Sequence, residues 1–181
     1  MPGMFSLAKC IFLTIDSAST SGVVLSEPEG KNYAVVSCSE VTSQETRHQW
    51  VRDALELSRD TKLPLVIVGE EWTNPNMGRR VLTLLGESWG MWRAAIEYEG
   101  AHRQGHIVRV NPNTWRAAVF GKKRPQKRDE LKKFAVEYVH RRFGEPLVLS
   151  DNIAEALCIR VWAERAEEVH ALLAPRKKKA A

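Results

Sequence analysis

The most constraining feature of this 181-residue chain is the run Leu65-Val66-Ile67-Val68-Gly69, followed at once by Glu70 and Glu71. Five residues without a polar side chain predict a strand covered on both faces. A strand of that kind belongs inside a sheet with helices on either side. Two acids directly at its end are then placed where open α/β sheets gather their functional groups, at the carboxyl ends of strands.

The rest of the pattern agrees. Ile11–Asp16, Ser21–Ser26 and Asn32–Ser39 read as three short strands, separated by turn signals at Thr20-Ser21-Gly22 and Glu29-Gly30-Lys31-Asn32. Helical spacing follows over Thr46–Arg59, where Trp50, Val51, Ala54 and Leu55 share a face, and again over Met77–Tyr98. Ile107–Val110 is a fifth strand, ended by Asn111-Pro112, and helices are predicted over 128–143 and 151–173. The expected fold class is α/β: a mixed five-stranded sheet, with a three-stranded meander, two parallel strands and helices on both faces. Residues 1–174 are expected to form a single domain and 175–181 a basic, disordered tail.

Composition narrows the function classes. Hydrophobic residues make up 44% and charged residues 27% of the chain, which is ordinary for a soluble globular protein. No apolar run reaches the ~20 residues of a membrane helix, so no membrane partner is expected. Cys10, Cys38 and Cys158 are widely spaced and form no zinc or disulfide pattern, which points to a reducing cytoplasm. The net charge of +5 is concentrated in the tail Arg176–Lys179 and in Lys122, Lys123, Arg124, Lys127, Arg128, Lys132 and Lys133, leaving an acidic body. Basic segments beside an acidic body suit a protein that grips phosphates while keeping carboxylates for a metal.

Four acids fall where a folded sheet can assemble them. Asp16 ends the first strand and Glu70 the fourth, while Asp151 and Glu155 open the last helix. The last two stand i, i+4, about 40° apart around the helix, and border the apolar arc of Ala154, Leu157, Cys158 and Val161. Crowded carboxylates repel one another unless a cation compensates, and hard oxygen ligands suit Mg²⁺ or Mn²⁺. Each acid also has a purely structural role open to it: an Asx turn at Asp16, a solvated strand end at Glu70, a helix start at Asp151.

In sequence order these segments resemble the RuvC-type Holliday junction resolvases of the RNase H-like class. Phe12–Val24 is similar to that family's opening strand, acid and turn. Leu65–Trp72 is similar to its fourth strand, and Ser150–Ile159 to its closing helix, where two acids precede an Ala-Leu pair. Asn111–Arg116 and the basic stretch after it fit the segment before the final helices. The closing pair is spaced D-x3-E, where bacterial members usually have D-x2-D; phage-type members tolerate such variation.

The resemblance implies a homodimeric endonuclease that hydrolyses phosphodiesters of branched DNA, four-way junctions above all, with two Mg²⁺ ions held by Asp16, Glu70, Asp151 and Glu155. It selects Glu70 over Glu71, because the family's glutamate directly ends the apolar run. Lys122, Lys123, Arg124, Lys127 and Arg128 would position the DNA backbone, with Lys127 nearest the phosphate, and Trp72 would meet opened bases. Helix 77–98 is a candidate dimer surface and equally a candidate core element. An RNA–DNA hybrid nuclease and a non-catalytic nucleic-acid-binding module are the alternatives on this fold. A small-molecule phosphotransferase, suggested by Ile15–Ser21, needs a second phosphate loop that the chain lacks.

Overall fold

The computed structural model describes residues 9–30, 32–71, 78–121, 124–144 and 150–174. Five strands form one sheet: β1 (Ile11–Asp16), β2 (Ser21–Glu29), β3 (Asn32–Val41), β4 (Leu65–Glu70) and β5 (Gly105–Val110), in the order β3-β2-β1-β4-β5. β1, β2 and β3 run as an antiparallel meander, and β4 and β5 lie parallel to β1. The expected mixed sheet is therefore the observed one. β1 sits at its centre, flanked by a hairpin partner and a crossover partner.

Strand alternation divides the apolar residues into two cores. Ile11, Leu13 and Ile15 of β1 and Leu65 and Ile67 of β4 face α1 (Gln44–Thr61) and α2 (Arg79–Tyr98), packing with Trp50, Val51, Ala54, Trp92 and Ile96. Phe12, Val66 and Val68 face the opposite way, toward α4 (Pro112–Phe120), α5 (Arg128–Phe143) and α6 (Asp151–Ala163). Every residue of β1 and β4 is buried, as the unbroken apolar run of β4 demands. A short α3 (Ala101–Gln104) leads into β5, and α7 (Glu167–Leu173) closes the described chain.

Two elements differ from the sequence reading. Asn111-Pro112 does end β5, but it also starts α4: the Asn111 side chain accepts from the Asn113 N–H, and Pro112 occupies the first helical turn where its missing N–H costs nothing. The helix expected over 151–173 breaks between α6 and α7, with the Arg165 N–H closing onto the Trp162 carbonyl. Among the described residues no helix is long and apolar enough to cross a membrane.

α6 is seated deeply against the sheet. Its residues Ala154 to Ala163 are all buried. Thr14 Oγ1 on β1 donates to the Ala156 carbonyl at 3.0 Å, tying helix to strand. The first turn of α6 lies directly on Gly22, the strand partner of Asp16: a Cβ at position 22 would stand 2.0 Å from the Asn152 carbonyl oxygen. Only a residue without a side chain lets the helix come this close. Gly22→Ala is therefore expected to destabilise the protein by about 3 kcal/mol, because the obstructing atoms are backbone and cannot rotate away. Urea denaturation of the variant beside the wild type checks this.

Candidate active site

Asp16 and Glu70 end adjacent parallel strands, and the pairing Ile15↔Gly69 just before them places the two acids side by side. Their parity is that of Phe12 and Val68, so both turn toward α6. There Glu155, one turn into the helix, completes a trio. Asp16 is 5% exposed, Glu70 1% and Glu155 5%. Together they floor an open cavity of about 330 Å³.

Three buried carboxylates raise an electrostatic problem. Burial, and then the charges of Glu70 and Glu155, hold the Asp16 carboxyl well above the usual carboxylate range, with Arg116 partly offsetting them. Burial likewise pushes Glu70 up to about 7, against the lowering pull of Arg116 and with a further push from Glu155. Arg116, on α4, supplies the compensating charge. Its Nη2 donates to Glu155 Oε1 at 2.6 Å and stands 3.8 Å from Glu70 Oε1. Among the described residues, neither Glu70 oxygen meets a hydrogen-bond donor within bonding geometry.

The cavity is bipolar. Besides the three acids it is lined by Arg116, Arg124, Arg128 and Lys132, and by Asn113 and Asn152. The expected basic stretch thus reaches the site in part. Lys127 does not line it: that side chain is exposed and lies 3.5 Å from Glu130. Lys132, not singled out for the phosphate in the sequence, takes its place on the wall. Lys122, Lys123 and Trp72 lie outside the described residues.

The structure separates two pairs of acids. Glu71 points away from the trio, where Arg109 Nη1 on β5 donates to it at 2.6 Å. Asp151, at the first position of α6, is bound by Lys132 and borders a neighbouring depression, not the trio's cavity. Partial burial works against its ionisation, but the hydrogen bond and charge of Lys132 outweigh this and hold its carboxyl below the usual range. Of the four sequence candidates, Asp16, Glu70 and Glu155 are brought together. Asp151 stands beside them, one lysine removed.

Arg116 enters the sequence reading only as the end of the Asn111–Arg116 segment, without a role of its own in the site. Its signal was the Asn-Pro cap that starts α4 four residues earlier, which projects position 116 from a helix instead of a loop.

The donor chemistry fits a hard divalent ion: three carboxylates, two of whose oxygens lack a hydrogen-bond donor among the described residues. Among the described residues, no set of three or more His, Cys, Asp or Glu side chains is already arranged to hold a metal ion. Arg116 stands among the carboxylates, and a bound ion requires its guanidinium to turn aside.

The sheet order, the crossover strands and the helices on both faces make this an RNase H-like fold. Within that class, the chain is similar to Thermus thermophilus RuvC solved with its Holliday junction substrate. The TM-score is 0.57 at 16% identity, over 83% of this chain and 90% of that one. It is similar also to a second T. thermophilus RuvC structure, with a TM-score of 0.52 at 18% identity, over 82% of this chain and 90% of that one. The likeness establishes the fold. No protein-family model matches the sequence, and no curated protein matches it.

The raised pKa of Glu70 has a sign that can be tested. A carboxyl whose folded pKa lies above its unfolded value of 4.5 adds stability below that value and loses it as the pH rises through about 7. In chelator, Glu70→Gln is therefore expected to gain on the wild type by a few kcal/mol between pH 4.5 and 8. Thermal melts of both proteins across that range check the prediction; parallel curves would show that Glu70 is not held in its neutral form.

Proposed function

We propose that this protein is a divalent-metal-dependent endonuclease that cleaves branched DNA, with four-way junctions as its preferred substrate. The observation that carries the reading is the juxtaposition of three buried carboxylates with a basic wall in one cavity, on the fold of RuvC. A phosphodiester passing through that cavity would meet both arginine and lysine side chains and carboxylates.

Asp16, Glu70 and Glu155 would hold Mg²⁺ or Mn²⁺, two ions in this class of chemistry. When bound, the ions supply Lewis-acid polarisation of the phosphate and lower the pKa of a water nucleophile. Asp16, at the end of β1, would be one of the ligands. Arg116 would take a phosphate oxygen once its charge is no longer needed by Glu155. Asp151 would join as a fourth ligand when Lys132 exchanges it for a substrate phosphate. Arg124 and Arg128 fix the backbone without reading sequence.

Two symmetric cuts in a four-way junction call for a two-fold dimer. Support comes from α2, where Leu84, Met91 and Tyr98 recur every seven residues and are 51%, 37% and 81% exposed. Leu84→Glu combined with Met91→Glu is expected to yield a monomer in light scattering at concentrations where the wild type is dimeric. The double variant should bind a single duplex arm but not resolve junctions.

The deciding experiment incubates the protein with four-way junction, RNA–DNA hybrid and linear duplex of matched sequence, with Mg²⁺ or chelator. Junction cleavage restricted to the Mg²⁺ arm is expected; cleavage of the hybrid alone would move the substrate to the alternative class. Asp16→Asn should abolish cleavage while retaining junction binding, and Glu70→Gln should lose on the order of 10² or more in rate. Glu71→Gln, whose side chain faces Arg109, should stay within a few-fold of wild type. A dead Glu71→Gln beside an active Glu70→Gln would overturn the assignment of the strand-end ligand.

A further inference from the structure

Between Asp16 and the turn into β2 lies Ser17, a residue that the carboxylate chemistry leaves without a task. It is 2% exposed, yet it lines the same cavity as Asp16, Glu70 and Glu155. Its Oγ makes no hydrogen bond among the described residues. A serine hydroxyl carries one donor and two acceptor sites, and a buried hydroxyl with none of them used is uncommon in a folded protein. Ser26 is also buried and bare, but it is not among the residues lining this cavity.

The backbone around Ser17 is fixed. The Ala18 N–H donates back to the Asp16 carbonyl at 3.0 Å. The Ala18 carbonyl accepts from Ser21 Oγ at 3.0 Å and from Ser88 Oγ on α2 at 2.5 Å. Trp92 Nε1 in turn donates to Ser21 Oγ. Two serines and a tryptophan therefore hold the turn, each with its polar atoms engaged, and the one hydroxyl left over, itself buried, belongs to a residue that lines the cavity. A donor held in place before its acceptor arrives needs no reorganisation during reaction.

We propose that Ser17 is a catalytic residue whose hydroxyl donates to a non-bridging oxygen of the scissile phosphate. This role rests on the nuclease reading of the same cavity. The acceptor is an anion seated between the acidic floor and the basic wall, which in this cavity is the phosphodiester itself. The hydroxyl forms no bond to substrate and loses no proton; it holds the phosphate in line and draws off charge that develops on the oxygen.

The test uses the full-length protein and a four-way junction carrying oxygen, or sulfur in either non-bridging position, at the cut phosphate. Wild type, Ser17→Ala and Ser17→Cys are compared in single turnover with Mg²⁺, with junction binding measured in Ca²⁺ and thermal stability measured without DNA. Ser17→Ala is expected to slow cleavage of the oxygen substrate at least tenfold, with junction binding unchanged. Its melting temperature should equal or exceed that of wild type, because an unused buried hydroxyl has been removed. The sulfur effect at one of the two positions should shrink in Ser17→Ala, and Ser17→Cys, a weaker donor of similar shape, should fall between the two. A Ser17→Ala rate within twofold of wild type overturns the proposal. So does a lowered melting temperature with both sulfur effects intact, the pattern of a purely structural serine. A wild type that cleaves no junction removes the nuclease reading and this role with it, and is told apart from those outcomes by the wild-type lane alone.

Discussion

The mutual repulsion of three buried carboxylates is the constraint around which this molecule is organised. Asp16, Glu70 and Glu155 sit close enough, and far enough from water, that burial and like charge hold both strand-end acids toward their neutral forms. No fold optimised only for stability would bury them together. The placement of Arg116 between Glu70 and Glu155 reads as the local answer to that repulsion, and the need to present α4 at this point follows from it. Under the proposed function a divalent ion would meet that charge imbalance, and the basic residues of the same cavity would face the phosphodiester.

Precision in this arrangement comes from close backbone approaches more than from side-chain bonds. Gly22 lets the first turn of α6 rest on the strand beside Asp16, and Thr14 anchors the next turn. On the opposite face, a Cβ at Gly69 would stand 2.0 Å from the Trp89 ring, so α2 is seated immediately behind Glu70. The trio is thus clamped from both faces of the sheet by two helices that meet glycines.

Much of this was legible in the sequence. The apolar run of β4 required a two-sided sheet, and the hairpin strands before it required an antiparallel half. Asp16, Glu70 and Glu155 were all named from their positions at strand ends and on a helix border. The strand-end choice between Glu70 and Glu71 was not legible from periodicity, because β4 is apolar on both faces; it takes the register against β1 to show which acid shares a face with Asp16. Asp151 was placed with the trio because i, i+4 residues share a helix face. The first position of a helix, however, is open to whatever lies beyond it, and Lys132 of α5 claims that side chain. Lys127 was favoured over Lys132 on resemblance, and nothing in the local sequence tells which of several lysines in a basic helix faces a cavity. Arg116 has no such signal of its own, since the sequence marks Asn111–Arg116 only as the segment before the final helices and the helix that projects it shows in the Asn111 cap.

The burial of α6 also bears on how the chain is made. This helix supplies Ala154, Leu157, Ile159 and Trp162 to one of the two cores and Glu155 to the site. Both are incomplete until residues 151–163 have been synthesised, long after Asp16 and Glu70 have left the ribosome. During translation the nascent chain carries two of the three acids and the core on the α1/α2 face, but neither the third acid nor the finished core on the α6 face. The trio and the core on its side of the sheet are therefore completed in the same late step, and no earlier fragment of the chain holds the assembled trio.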